Sequence, residues 1–308
     1  MKVRSMYTEL FELMGMMFLM MLAGWLLQSR GLITEQGRKS LTNIILYAVL
    51  PCNIVNAFRM ETGEGFWEGM AQTLAAAAVV QILCVALASF LYRRMPKKER
   101  QVYQYATVCS NAGFMGNPLA QGVFGDQGLL YASVFLIPLR IVMWTAGVSY
   151  FTDSADKSDA VKKVLIHPCM IAVYIGLAIM LFSLPVPGVI ERTLAAFSSC
   201  CTGMTMLYIG TILAGVDLKS LCSRRQIYFA AVRLILIPCI VYLFCLVLRT
   251  EQLVRGVCVL LSAMPAGSTA SLLAGKYGAD EGTAAKCVVF TTLLSAAAIP
   301  VWSMILIH

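Results

Sequence analysis

Apolar residues run along this 308-residue chain in long continuous blocks, without the alternating or one-faced patterns of a soluble fold. Ten stretches are free of charge or interrupted once, at residues 13–29, 40–58, 69–92, 101–125, 127–152, 164–190, 193–216, 226–248, 256–275 and 287–308. Only Arg140 interrupts the fifth and only Arg233 the eighth. Each stretch holds 17 to 27 residues, and about 20 helical residues cross a hydrocarbon core of about 30 Å. The pattern predicts an all-α integral membrane protein of ten transmembrane helices. The stretches take 227 residues and leave 81 for both ends and nine connections, so no soluble domain fits beside them. A β-barrel is disfavoured because its strands alternate apolar and polar over about 10 residues, whereas residues 74–92, LAAAAVVQILCVALASFLY, are continuously apolar. The amino-terminal run carries Glu9 and Glu12 and lacks a small-residue cleavage pattern, so it reads as an uncleaved first span.

Composition agrees with the pattern: 59% of residues are apolar and 13% charged, against about 45–50% and about 25% in an ordinary soluble domain. A cytosolic enzyme, a nucleic-acid binder and a secreted disulfide protein are excluded as the main identity. The net charge of +8 therefore bears on orientation. Alternate connections, starting between spans 1 and 2, hold 16 Lys and Arg on one side, and the other side with the amino terminus holds 6. This bias puts the first set in the cytoplasm and both termini outside the cell. Of 11 cysteines only Cys222 lies outside the apolar stretches, and no C-x-x-C pairs with histidines, so cysteine reads as a small hydrophobe and no metal or cofactor is expected.

The polar run DSADKSDAVKK divides the chain into five spans at residues 1–152, a short cytoplasmic linker at 153–163 and five spans at 164–308. Because five is odd, halves of shared fold enter the membrane from opposite sides, the inverted-repeat arrangement of many secondary transporters. Phe124-Gly125-Asp126 after span 4 and Tyr277-Gly278-Ala279-Asp280 after span 9 echo one another. So do Pro138 and Trp144 late in span 5 and Pro300 and Trp302 late in span 10. Span 4 gathers Asn111, Gly113, Gly116, Asn117 and Pro118 near mid-membrane, and span 9 has Pro265, Gly267, Ser268 and Thr269 at a matching depth. Proline removes a backbone donor and clashes with the carbonyl four residues back, and irregular backbone survives in a bilayer only where protein or a cavity satisfies it. Two Pro-kinked helices packed through small residues are the plainer account. Recurrence in the fourth member of each half favours discontinuous, site-forming helices.

Asn111-x-Gly113-Phe114-x-Gly116-x-Pro118-Leu119, Leu50-Pro51 in span 2, and Met264-Pro265-Ala266 through Lys276-Tyr277-Gly278 resemble the auxin efflux carrier family, whose bacterial branch includes malate and malonate permeases. The resemblance covers essentially the whole chain. It implies two inverted five-helix repeats, spans 4 and 9 crossing at their prolines over the substrate site, and an elevator-like motion. The family's crossover residues carry over to Asn111, Gly116, Pro118 and Pro265. Two positions depart from the family pattern. Span 7 has Cys201-Thr202-Gly203-Met204 where a proline often precedes a Met-rich segment, which bears on local helix shape. Arg140 stands near where span 5 usually has an amide, which bears on the substrate.

A broken helix points a new amino-terminal end into the membrane interior, with unpaired N–H groups and about half a positive charge. Two such ends suit a carboxylate. Asn111, Asn117, Ser268, Thr269 and Asn53 then orient it by neutral hydrogen bonds, although Asn53 and Asn56 equally fit helix-to-helix bonding. Arg140 lies about 13 residues from either end of its stretch, where an arginine costs at least about 2.5 kcal/mol. Either backbone carbonyls and amides or a bound anion must compensate it. Arg233, eight residues beyond Arg225, reads as able to snorkel to the cytoplasmic surface. No Asp or Glu lies deep in a span, so a buried-acid proton relay is not evident, and sodium, proton or no coupling stays open. A membrane enzyme lacks a His/Asp pair, HExxH or an acidic cluster, and the short loops leave no domain for a sensor. The expectation is a non-enzymatic secondary carrier of a small organic anion, a dicarboxylate such as malate or malonate on the resemblance, in the cell membrane. Carriage of another small metabolite is the alternative. The lipid bilayer is its partner, a homodimer is open to it, and no nucleic acid is expected.

Overall fold

In a computed structural model, residues 2–59, 66–151, 166, 168–182, 184–215 and 221–307 are described. The linker 153–163, Glu61, Glu64, Lys219 and both histidines lie outside them. The regular secondary structure of the described residues is all helical, apart from a single isolated antiparallel bridge between Ser110 and Ala266. In order, the helices are α1 (Lys2–Ser29), α2 (Glu35–Ile44), α3 (Leu50–Ala57), α4 (Phe66–Leu91), α5 (Lys97–Val108), α6 (Asn117–Val142) and α7 (Pro168–Leu181). There follow α8 (Gly188–Ser199), α9 (Cys201–Leu213), α10 (Arg224–Ala231), α11 (Ile237–Val247), α12 (Gln252–Ser262), α13 (Thr269–Lys276) and α14 (Glu281–Ile307). Five helical runs are long and apolar enough to cross a membrane by length and composition, Trp67–Leu91, Ala112–Val142, Gly188–Leu213, Arg224–Val247 and Glu281–Leu306, the second of them divided at Gly125. Gly15–Ser29, Pro168–Leu181 and Gln252–Ser262 are shorter apolar helices.

Several boundaries differ from the hydropathy reading for local reasons. In the sixth stretch, residues 164–190, α7 ends at Leu181, and Pro185 and Pro187 keep the chain before α8 out of helical geometry. The seventh is divided into α8 and α9 at Cys200, which keeps right-handed helical dihedrals (φ −77°, ψ −13°). Three other prolines follow widened π turns, whereas Pro138 and Pro300 lie inside α6 and α14. Ile45–Val49, Ala112–Gly116 and Val232–Leu236 are π turns, and each ends two residues before a proline, Pro51, Pro118 and Pro238. The carbonyl four residues before each proline, which its ring would strike and which receives no N–H from it, lies inside the widened turn. The helix accommodates the ring by swelling, so these prolines sit in continuous helical runs.

Two turns of the chain fall on glycine. Gly125 (φ 70°, ψ −163°) folds α6 into two arms, residues 117–124 and 126–142, and Gly278 (φ 69°) separates α13 from α14. Only glycine takes this backbone without strain. These are the two echoed motifs, 153 positions apart.

The outer surface is apolar, as a bilayer requires: Ile82 is 70% exposed, Phe182 73%, Val189 79% and Val247 81%. Inside, small residues bring helices into backbone contact. Gly24 of α1 lies against the Leu207 carbonyl of α9, and Gly210 of α9 against that of Met21. Two ion pairs tie the ends, Arg59 with Glu191 and Arg225 with Glu99. Each joins groups that the charge count assigns to one side.

Candidate functional site

The crossing lies where two helical runs break. After α5 the chain leaves helical geometry at Cys109, and after α12 it does so through residues 263–268. The two breaks satisfy one another. Asn111 N donates to the Pro265 carbonyl at 2.8 Å, and Gly267 N donates to the Cys109 carbonyl at 2.8 Å. The Ala266 N–H goes to Thr291 Oγ1 of α14 at 3.0 Å, whose hydroxyl donates to Cys287 O at 2.6 Å. Backbone groups freed inside an apolar interior thus find protein partners. Close approach demands glycine here: a Cβ at Gly267 would stand 2.9 Å from Cys109 O, and one at Gly116 2.5 Å from Leu261 Cδ2. The resemblance implies a crossing at both prolines. Pro265 is in it, but the chains meet at Ser110 and Ala266, and Pro118 lies further along, in the first turn of α6.

Two helix starts leave this crossing, the π turn Ala112–Gly116 leading into α6, and α13. Neither Asn111 nor Ser268, the residues preceding them, caps with its side chain. Their amino-terminal amides and the partial positive charge of each end are therefore not neutralised by a cap. Asn111 (3% exposed) has no hydrogen-bond partner at Nδ2, and fully buried Asn117 has none at either carboxamide atom, among the described residues. Buried amides are nearly always bonded, so each such orphan requires explanation. Ser268 is buried, and Thr269 Oγ1 accepts from Tyr105 Oη at 2.9 Å, which fastens α13 to α5.

Arg140 approaches the same place from the second arm of α6. It is 6% exposed, its Nη2 lies 3.9 Å from where a Cβ on Gly113 would stand, and its Nη1 has no hydrogen-bond partner among the described residues. Beyond it Cys169 of α7 neighbours Cys201 of α9. Cys201 lies beside the Asn53 carboxamide, whose Oδ1 accepts from Ser198 Oγ at 2.6 Å while Nδ2 is unpartnered. Arg140 is thus connected to Gly113 directly and to Asn53 by way of Cys169 and Cys201, among α3, α6, α7 and α9. Asn56 does not join this set, since its Oδ1 accepts from Arg59 Nη1 at 3.3 Å. Among the described residues the only buried charged side chains are Arg140 and Arg233, with no buried Asp or Glu. None of them form a group of three His, Cys, Asp or Glu able to hold a metal ion.

Arg233 corrects the expectation of snorkelling. It is 2% exposed, its Nε is unpartnered among the described residues, and it lies near Cys84, Tyr92 and Cys109. Its place in the π turn Val232–Leu236, flanked by buried Val232 and Leu234, turns the side chain inward. Sequence reasoning also passed over Tyr105, Ser198 and Thr291, which brace the crossing or Asn53. The signal for all three is a polar side chain inside an apolar stretch.

Residues 9–303 match the membrane transport protein family. An uncharacterized transporter of Methanothermobacter thermautotrophicus is 22% identical over 93% of this chain and 95% of its own length. An uncharacterized transporter of Methanocaldococcus jannaschii is 22% identical over 94% and 96%. A Rhizobium meliloti protein whose name proposes malonate transport is 23% identical over 72% of this chain and 71% of its own length. With its apolar helices, its crossing of broken segments and a family match that runs nearly end to end, the chain belongs to the membrane transport protein family, the auxin efflux carriers.

Proposed function

We propose that this protein is a secondary carrier of a small organic anion, working by alternating access between two inverted five-span halves, residues 1–152 and 164–308, with both termini outside the cell. The observation that carries the reading is Arg140, a buried guanidinium with an unpartnered nitrogen beside Gly113. It stands at the positive end of a half-helix with no buried carboxylate among the described residues to neutralise it. An anionic substrate supplies the missing charge. Asn53 Nδ2, Asn111 Nδ2 and the Asn117 carboxamide are spare hydrogen-bonding groups that would orient it, and Ser268 and Thr269 present the second helix start. Pro265, Gly116 and Pro118 shape the breaks. The Rhizobium relative's name makes malonate the first substrate to try.

The test is flux into liposomes containing the purified protein, using labelled mono- and dicarboxylates with and without sodium and proton gradients. Carboxylate uptake blocked by excess unlabelled malonate is expected, and the gradients identify the coupling. Transport of a neutral or cationic compound, with no flux of any carboxylate, would sink the proposal.

A further inference from the structure

Away from the crossing, on the side that the charge count assigns to the cytoplasm, a cavity of about 300 Å³ is lined by Arg93, Lys97, Arg100, Gln101, Gln104 and Tyr150, with two serines completing it. Three chain segments build it: the turn between α4 and α5, the first turns of α5, and the residues after the π turn Met143–Gly147. No acid lines it. Glu99, on the same helix, pairs with Arg225. The Tyr150 hydroxyl is buried next to Ser89, whose own hydroxyl donates to Val85 O at 2.8 Å, and no well-formed hydrogen bond holds it among the described residues. Gln104 Nε2 reaches only a long 3.4 Å contact with Ala88 O. Pro96 precedes α5 without a side-chain cap, so that the helix's positive end adds to the same field. Cationic forks, amide and hydroxyl donors and a helix end, converging from three segments, suit a tetrahedral oxyanion with several acceptor oxygens.

Depth distinguishes the source of that oxyanion. The Arg93 guanidinium lies over the Phe90 ring, 4.8 Å from its centroid, and Phe90 is 62% exposed on the apolar flank of α4. The ring therefore marks where acyl chains end, and the cations stand one step above it, at headgroup level. We propose that this cavity binds a phosphate group, that of an anionic phospholipid in the adjoining leaflet. The bound headgroup holds the end of α4, the start of α5 and the segment after α6 together. The assignment is independent of the carrier reading.

The test uses the full-length protein in nanodiscs of phosphatidylcholine, with or without phosphatidylglycerol, read by thermal unfolding and by lipid retention in native mass spectrometry. Phosphatidylglycerol is expected to raise the unfolding midpoint by several degrees and to be retained in preference to the neutral lipid. Combined Arg93→Gln and Arg100→Gln should remove most of both effects while the midpoint in neutral discs holds. Should that variant fail to fold, Gln101→Glu, which adds a carboxylate to the cavity and removes no cation, should do the same. An undiminished lipid effect in the folded variants overturns the proposal. So does inorganic phosphate in neutral discs reproducing the whole stabilisation of the native protein, because the occupant is then soluble.

Discussion

Arg140 and Arg233 are the same side chain in similar settings, each alone in an otherwise uncharged stretch and each buried. They differ in which end of a broken segment they meet. Arg233 lies near Cys84, Tyr92 and Cys109, the last of them at the carboxyl end of α5. A cation at a helix carboxyl end gains about 0.3–1 kcal/mol when exposed and up to about 2 when partly buried. Arg140 lies beside Gly113, at an amino-terminal end whose dipole repels it. The carboxyl end of α5 thus offsets part of the burial cost of one arginine, whose Nε is still unpartnered among the described residues, while the other stands at an end of unfavourable sign. On the proposed reading, local dipole sign distinguishes the two buried cations where burial alone does not.

Three substitutions probe this contrast. Arg140→Gln has the largest expected effect, a roughly 10- to 100-fold loss of anion affinity, corresponding to about 1.5–3 kcal/mol for charge-assisted hydrogen bonds. Flux and binding in liposomes measure it, with the unfolding midpoint staying close to the parent's. Loss of folded protein without loss of affinity in the remainder would break the contrast by making Arg140 structural. Arg233→Gln should do the opposite, costing about 1–2 kcal/mol of stability in thermal unfolding and leaving anion affinity within about two-fold. An affinity loss like that of Arg140→Gln would make the two arginines equivalent. Smallest is Gly113→Ala. The added methyl has ordinary room, 3.9 Å from Arg140 Nη2, so stability should hold, while partial filling of the gap lowers affinity about two- to five-fold, worth under about 1 kcal/mol. An unchanged affinity would put the anion elsewhere along the guanidinium.

Much of this architecture is legible in the chain because bilayer physics leaves large signals. Continuous apolar runs mark the helices, and the Asn-Gly-Pro cluster of span 4 marks a break, since such residues are costly in hydrocarbon unless they have a purpose. The crossing itself was less legible. That Asn111 N bonds to Pro265 O, across more than 150 residues, depends on a tertiary approach that no local pattern encodes. Pro118 and Pro51 illustrate the limit: proline signals a disturbance, but swelling into a π turn or breaking outright depends on whether a neighbour accepts the freed backbone. The inward turn of Arg233 was hidden for a similar reason, because its distance along the sequence from the basic loop says nothing of which face of the helix it occupies.

The reversal at Gly125 also acts as a ruler. Gly113 stands 12 positions before it and Arg140 15 after it, so at about 1.5 Å per residue the two arms measure about 18 and about 22 Å. Nearly equal arms folded back on one pivot bring their far ends to the same depth, and the guanidinium meets the helix start because the counts match. With one residue at the pivot there is no slack. Lengthening either arm by a single residue would slide one wall past the other by about 1.5 Å and rotate it by about 100°, carrying Arg140 off its mark without touching any residue that borders the site.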